Sequence, residues 1–299
     1  MEKLIVATRR SALALAQARA FMRDLEARHA GLQACELHVV TTGDKIQDRP
    51  LADIGGKGLF VKEIEEAILE GRADIAIHSL KDVPPVLAPG LVIGCIPERE
   101  DPRDALVTRS GALLEELPAG SKVGTSSLRR SVQLLAWRPD LQVVPLRGNV
   151  DTRLRKCEEG IVDAIVLACA GLSRLGLRDR VTQVLPPDRC IPAIGQGALG
   201  IELRAGDDRA KAWLDPLAHA ETTLAVAAER GVMRAVEGNC QVPVAAHARR
   251  EGNSLQLSAL LADPDGTHKR TREITTAWPA SAEEAERIGL MLGHELRAG

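Results

Sequence analysis

Three stretches of this 299-residue chain gather residue types that can do chemistry together. His78–Ser79–Leu80–Lys81–Asp82–Val83–Pro84–Pro85 sets a carboxylate beside a cation, just after a short apolar run. Asp82 can stabilise a cation that develops in a transition state. Taken alone it reads as readily as a turn-capping aspartate. Gly124–Thr125–Ser126–Ser127–Leu128–Arg129–Arg130 puts two arginines in the first turn of an expected helix. That end of a helix already carries partial positive charge and unpaired N–H groups, so cations there call for an anion. The hydroxyls and the N–H groups point the same way. Gly238–Asn239–Cys240–Gln241–Val242 places a cysteine in a loop between a helix and a strand. Near arginines such a thiol can act as nucleophile or attachment point, although a lone cysteine is more often a small core residue.

Arg9 before Ser11, and Arg147–Gly148–Asn149 with Arg153, repeat the placing of arginines where a strand ends and a helix begins. Each one alone reads equally well as a surface arginine with a solvated tip. The set together is better explained as a receptor for several carboxylates or phosphates, because guanidinium groups match carboxylates in bidentate pairs.

These groups need a scaffold, and the sequence implies an alternating one. Leu4–Thr8, Glu36–Thr41 and Asp74–His78 read as strands. Ser11 caps a helix with Leu15, Ala18 and Met22 on one face, and Gly55–Gly58 leads into a second helix with Ile64, Ala67 and Ile68 inward. After Asp101–Pro102 the pattern restarts. Lys122–Gly124, Leu141–Leu146 and Ala164–Ala168 read as strands, and Ser127–Trp137 and Val150–Glu158 as helices. Two doubly wound α/β lobes with largely parallel sheets follow, with a cleft expected at their strand ends. Ile194–Leu203 is expected to cross back into the first lobe. Beyond Ala218 a long helix to about Val236 precedes three strands (Val242–Arg249, Leu255–Ala262, Arg270–Thr275) and a helix from Ser281, which is a small α+β domain. The expected domains are 1–97 with 198–215, then 103–191, then 219–299.

A formal net charge of −2 gives no electrostatic reason for a nucleic-acid partner, and two Phe, three Trp and no Tyr leave few stacking platforms. The six cysteines form no CxxC pair and the histidines are scattered, so no metal site is expected. The cysteines mostly sit in apolar runs, which suits a reducing cytoplasm. Arg9–Arg10 interrupts the N-terminal apolar run, so it does not read as a signal peptide, and no run is long enough for a membrane span.

At these residues the chain resembles the porphobilinogen deaminase family, over nearly its full length. Ala7–Ser11, Gly55–Phe60, His78–Pro84, Glu98–Asp104, Gly124–Arg130, Leu146–Asn149, Gly195–Gly200 and the cysteine segment occur in the family's order and spacing. The resemblance implies two lobes like type II periplasmic binding proteins and a small C-terminal α+β domain with an antiparallel sheet. It implies a cytoplasmic monomer that joins four porphobilinogen units head to tail, releasing ammonia, into the linear tetrapyrrole hydroxymethylbilane, without a metal. Its cofactor would be dipyrromethane, held by a thioether on Cys240. By position, Asp82 would be the catalytic carboxylate. Arg9, Arg129, Arg130, Arg147, Arg153 and Arg174 would bind substrate and cofactor carboxylates, supported by Ser11, Lys81, Thr125, Ser126 and Ser127. Lys57 and Phe60 would lie on a mobile loop, and Gln17 near the growing chain. Asn239 stands where the family usually has a glycine, and Ala12 and Ala16 replace a proline and a tryptophan.

A non-catalytic two-lobed anion-binding protein is the main alternative, and it gives Cys240 no role. A sugar- or nucleotide-anion enzyme is the other, but no GxxxxGK[ST] loop occurs.

Overall fold

A computed structural model describes residues 2–45, 61–237 and 242–299. Lys57, Phe60, Asn239 and Cys240 therefore lie outside the described residues.

β1 (Glu2–Arg9) pairs in parallel with β2 (Leu32–Val39) along its whole length, and with β3 (Ile75–Ser79). Between β1 and β2 runs α1 (Ala12–Arg28), begun by the Ser11 side chain, which accepts the Ala14 N–H at 3.3 Å. Its apolar stripe is Ala18, Phe21, Met22 and Leu25, an i, i+3, i+4, i+7 set. Leu15, expected on that stripe, sits one turn earlier and is only half-buried. α2 (Lys62–Leu69) covers the opposite face of the sheet with Ile64, Ala67 and Ile68, against Ala7 and Ala76. β10 (Leu199–Arg204) enters antiparallel between β3 and β4 (Leu91–Cys95), giving the order β2-β1-β3-β10-β4. α6 (Asp208–Leu214) then packs on the α1 face through Ala210 and Leu214.

The second sheet repeats this plan. β5 (Asp104–Thr108), β6 (Lys122–Gly124), β7 (Gln142–Val144), β8 (Ala164–Ala168) and β9 (Gln183–Val184) lie in the order β7-β6-β8-β5-β9. The antiparallel fourth strand is β5 here. In the first sheet that position is filled by β10, supplied after the second sheet's own strands, and in the second by β5, supplied before them. Each lobe is thus largely parallel with one reversed strand. α3 (Leu128–Trp137), α4 (Val150–Glu158) and α5 (Cys169–Arg174) connect the strands.

α7 (Ala220–Ala235) leads to an antiparallel sheet of β11 (Val244–Glu251), β12 (Ser254–Leu261) and β13 (Arg270–Ala277), followed by α8 (Ala282–Ala298). Ala228, Val232, Leu292 and Leu296 from the helices pack on Leu255 and Leu257. The helices touch so closely that a Cβ on Gly289 would lie 1.9 Å from the Ala228 carbonyl oxygen, so only glycine fits there. By internal contacts the chain forms two compact units, 1–100 with 198–223 and 101–197 with 224–299. No helix among the described residues is long and apolar enough to cross a membrane.

Candidate functional site

In the first unit, chemistry gathers at the end of β3. Leu80–Asp82 form one turn of 3₁₀ helix, closed by the Val83 N–H on the Leu80 carbonyl. A pocket there is lined by Arg9, Ser11, Gln17, His78, Ser79 and Asp82. Asp82 and Lys81 are exposed, while Gln17 is buried and exchanges hydrogen bonds of 3.0 and 3.1 Å with the Ser79 hydroxyl. Four of the residues singled out from sequence, Arg9, Ser11, Gln17 and Asp82, therefore share one pocket. Lys81 stands on the same turn without lining it.

His78 and Glu202 were not expected. Both are buried, and the His78 Nε2 lies 2.9 Å from Glu202 Oε2. A carboxylate inside the apolar run Leu199–Leu203 was the sequence signal for such a pair.

In the second unit, β6 ends at Gly124 and the chain turns into α3. The Thr125 hydroxyl accepts the Ser127 N–H at 3.2 Å, and the Ser127 hydroxyl accepts the Arg130 N–H at 3.4 Å. Ser126 is exposed. The anion that two cations at a helix start require is inside the protein. Arg129 Nη1 donates to Asp104 Oδ2 at 2.7 Å, and Arg130 Nη2 and Nε donate to Asp104 Oδ1 at 2.7 and 3.1 Å. Arg130 Nη1 also donates to the Val166 carbonyl, and Arg129 Nη1 to that of Ile191. Gln196 adds a fourth donor to Asp104, at 2.9 Å. This corrects the expectation that a bound ligand must supply the charge balance at this helix start. Burial alone would raise the Asp104 carboxyl, but the charges of Arg129 and Arg130 outweigh it and hold it well below the usual carboxylate range. Asp104 escaped the sequence reading because its partners lie 25, 26 and 92 positions away.

Arg147 follows β7, and its Nη1 is buried without a hydrogen bond among the described residues. Arg153 reaches back from α4 to the Gly148 carbonyl at 2.8 Å. Gly148 has a φ of 118°, and a Cβ there would collide with Thr152 at 2.7 Å, so the turn after Arg147 requires glycine. Asn149 caps α4 through the Thr152 N–H at 3.0 Å. Arg174, at the end of α5, donates to the Gly197 carbonyl at 2.7 Å. A larger concavity of about 530 Å³, around Thr108, Arg109 and Arg180, holds none of these residues. It lies at the other end of the same sheet, since Thr108 pairs with Ala164 and Asp104 with Ala168.

Burial pushes the thiols of Cys95, Cys169 and Cys190 up to about 12 and raises that of Cys157. None of these four is poised for reaction.

Two family models cover almost the entire chain. One, described as the porphobilinogen deaminase dipyromethane cofactor binding domain, matches residues 4–212. The other, the porphobilinogen deaminase C-terminal domain, matches 223–298. The chain belongs to the porphobilinogen deaminase family. It is 63% identical over 297 residues to the porphobilinogen deaminase of Sorangium cellulosum, covering 99% of each chain. It is 52% identical to that of Syntrophotalea carbinolica, covering 99% of this chain and 92% of the relative. Among solved structures, a TRAP periplasmic solute binding protein from Desulfovibrio salexigens aligns with a TM-score of 0.45 at 14% identity, over 73% of this chain and 72% of that one. Membership in the family assigns the matched 4–212 region to binding dipyrromethane. The strand-end arginines of both units, and Asp82, lie within that region.

Proposed function

We infer that the protein is a transferase that condenses porphobilinogen units stepwise into hydroxymethylbilane, in porphyrin biosynthesis, with Asp82 as its catalytic carboxylate. One observation carries the reading. An exposed carboxylate, Asp82, shares a pocket with a strand-end arginine, Arg9, in a chain matched end to end by family models. The substrate's acetate and propionate groups need cations, and the carbon left when ammonia departs needs an anion.

The residues present fit the cofactor. The buried Arg147 Nη1 makes no hydrogen bond among the described residues, and a carboxylate oxygen would satisfy it. In this proposal Arg147, Arg153 and Arg174 receive pyrrole carboxylates in the second unit, with Thr125, Ser126 and Ser127 lining the approach. Arg129 and Arg130 serve from positions that Asp104 fixes. Arg9, Ser11, Lys81 and Gln17 hold substrate in the first unit. When bound, dipyrromethane supplies the pyrrole carbon on which the chain is extended. Asp82 stabilises the cationic carbon as the C–N bond breaks, by charge rather than by proton transfer. Lys57 and Phe60 are assigned to a covering loop and Cys240 to the thioether attachment. The raised thiols of Cys95, Cys169 and Cys190 favour Cys240 over those three. A cytoplasmic monomer, with the C-terminal sheet and helices as a third domain carrying the attachment, completes the proposal.

Intact mass and porphobilinogen turnover test it. The purified protein should carry an added dipyrromethane. Cys240→Ser should lose both the added mass and turnover, while Cys169→Ala keeps both. An adduct persisting in the serine variant would move the attachment to another residue.

A further inference from the structure

The buried pair behind the Asp82 pocket has no part in the chemistry described so far. His78 lines that pocket, and its ring is anchored through Nε2 to Glu202 at 2.9 Å. Glu202 is fully buried on β10, whose register places it opposite Ala76, a diagonal neighbour of His78. Its second oxygen, Oε1, is buried and makes no hydrogen bond among the described residues. A pair that served only to brace the sheet would be poorly built for it. Apolar side chains of similar volume brace as well or better, and a half-satisfied polar group costs stability. Charged groups near the pair include Glu65 on α2, which interacts with both, and Asp82 and Arg9, which line the pocket with His78.

A neutral imidazole that donates Nε2–H to a carboxylate has its other nitrogen, Nδ1, as an acceptor. The buried carboxylate fixes that tautomer and the ring's orientation, the logic by which an aspartate orients a catalytic histidine. The proposed reaction supplies a proton for that acceptor. The substrate's aminomethyl nitrogen is protonated when the C–N bond breaks, and the electron pair leaves with it as ammonia. A pyrrole ring carbon then donates an electron pair to form the C–C bond and releases its proton. Ammonia and that proton leave together as ammonium, so each step balances if one group carries the proton from ring carbon to nitrogen.

We propose that His78 carries this proton, and that Glu202 is a positioning residue acting through His78. The proposal rests on the condensation reaction inferred above.

The test uses the protein as purified, with its cofactor, and porphobilinogen as substrate. Glu202→Gln keeps the shape and removes the charge. His78→Gln keeps a donor near Nε2 and removes the Nδ1 acceptor. Each variant should retain the cofactor mass and a KM within about twofold of wild type, while kcat falls at least roughly tenfold. The solvent deuterium effect on kcat should rise in both, which a bracing role would not produce. The double variant should be little slower than either single one, because the two act as a unit. Wild-type kcat and isotope effect in either folded variant would overturn the proposal. So would loss of folding in both, which would make the pair a sheet support. Should only Glu202→Gln fail to fold, His78→Gln decides. If wild type consumes no porphobilinogen, it is the condensation reading that falls, through a different measurement.

Discussion

Each lobe buries one carboxylate near the ends of its central strands, and the two are treated in opposite ways. Asp104 in the second lobe is met by two guanidinium groups and the amide of Gln196. Glu202 in the first lobe meets one imidazole and keeps one oxygen without a partner among the described residues. A carboxylate whose acceptors are answered on both oxygens locks the groups around it. One that is half answered holds a single imidazole and sets which of its nitrogens carries the proton. The sheets share a strand order, so the contrast comes from side chains on the reversed strands β5 and β10 rather than from topology.

The largest expected effect tests the locked member. Arg130→Leu leaves Asp104 buried with half its charge partners gone, and should cost about 3–5 kcal/mol of stability in chemical denaturation. A helix start freed of an unfavourable cation would instead gain a few tenths of a kcal/mol. The sign therefore decides whether Arg130 belongs to Asp104 or to solvent. The pH dependence follows from the same pair. Because the folded-state pKa of Asp104 is depressed, its contribution is fully present above the unfolded value near 3.9 and disappears as pH falls toward the lower folded value. Wild type and Asp104→Asn should differ in stability at pH 7 and at pH 5 by the same amount, converging only in stronger acid. Convergence already at pH 5 would mean that the arginines do not hold the carboxylate as the geometry indicates.

Next in size is the exposed carboxylate of the first lobe. Asp82→Asn keeps the shape and removes the charge. Transition-state stabilisation of this kind is worth about 3 kcal/mol, so turnover should fall roughly a hundredfold or more while substrate affinity is largely kept. Rapid-quench mass spectrometry of chain-extended species measures it. Unlike Arg130→Leu, this change should leave the melting temperature nearly alone, because Asp82 is exposed on a turn. A wild-type ladder from the variant would reduce Asp82 to a turn residue.

How far the sequence reveals such pairs depends on the range of the interaction. Lys122–Gly124, Val150–Glu158 and Ala164–Ala168 have the bounds their patterns imply, because each is punctuated locally by glycine, asparagine or charge. Arg9, Ser11, Gln17 and Asp82 line one pocket, a juxtaposition made by the pairing of β1 with β3 rather than by any local pattern. β5 and β9 went unread. One is five residues entered from a turn and the other is two residues long, and both are strands only because β8 and β5 pair with them. The internal partner of Arg129 and Arg130 is hidden from the sequence for the same reason. Two arginines after Ser127 announce a need for an anion, but nothing local says whether a ligand or a distant aspartate meets it. Glu202 left a trace, a charge in an apolar strand, without naming His78.

The smallest effect asks whether the lobes are equivalent where they do match. Ser11 and Ser127 occupy the same place, the residue before the helix that follows the second strand in each sheet order, and each accepts the N–H three positions on, at 3.3 and 3.4 Å. As simple N-caps, Ser11→Ala and Ser127→Ala should each cost about 1 kcal/mol of stability. The Ser127 helix differs in beginning with two arginines that already satisfy Asp104, so its start is held from below as well as by the cap. If that second hold does the fixing, Ser127→Ala costs clearly less than Ser11→Ala in the same denaturation experiment. Equal costs would show that Asp104 secures the side chains of Arg129 and Arg130 without securing the backbone of the helix turn that carries them.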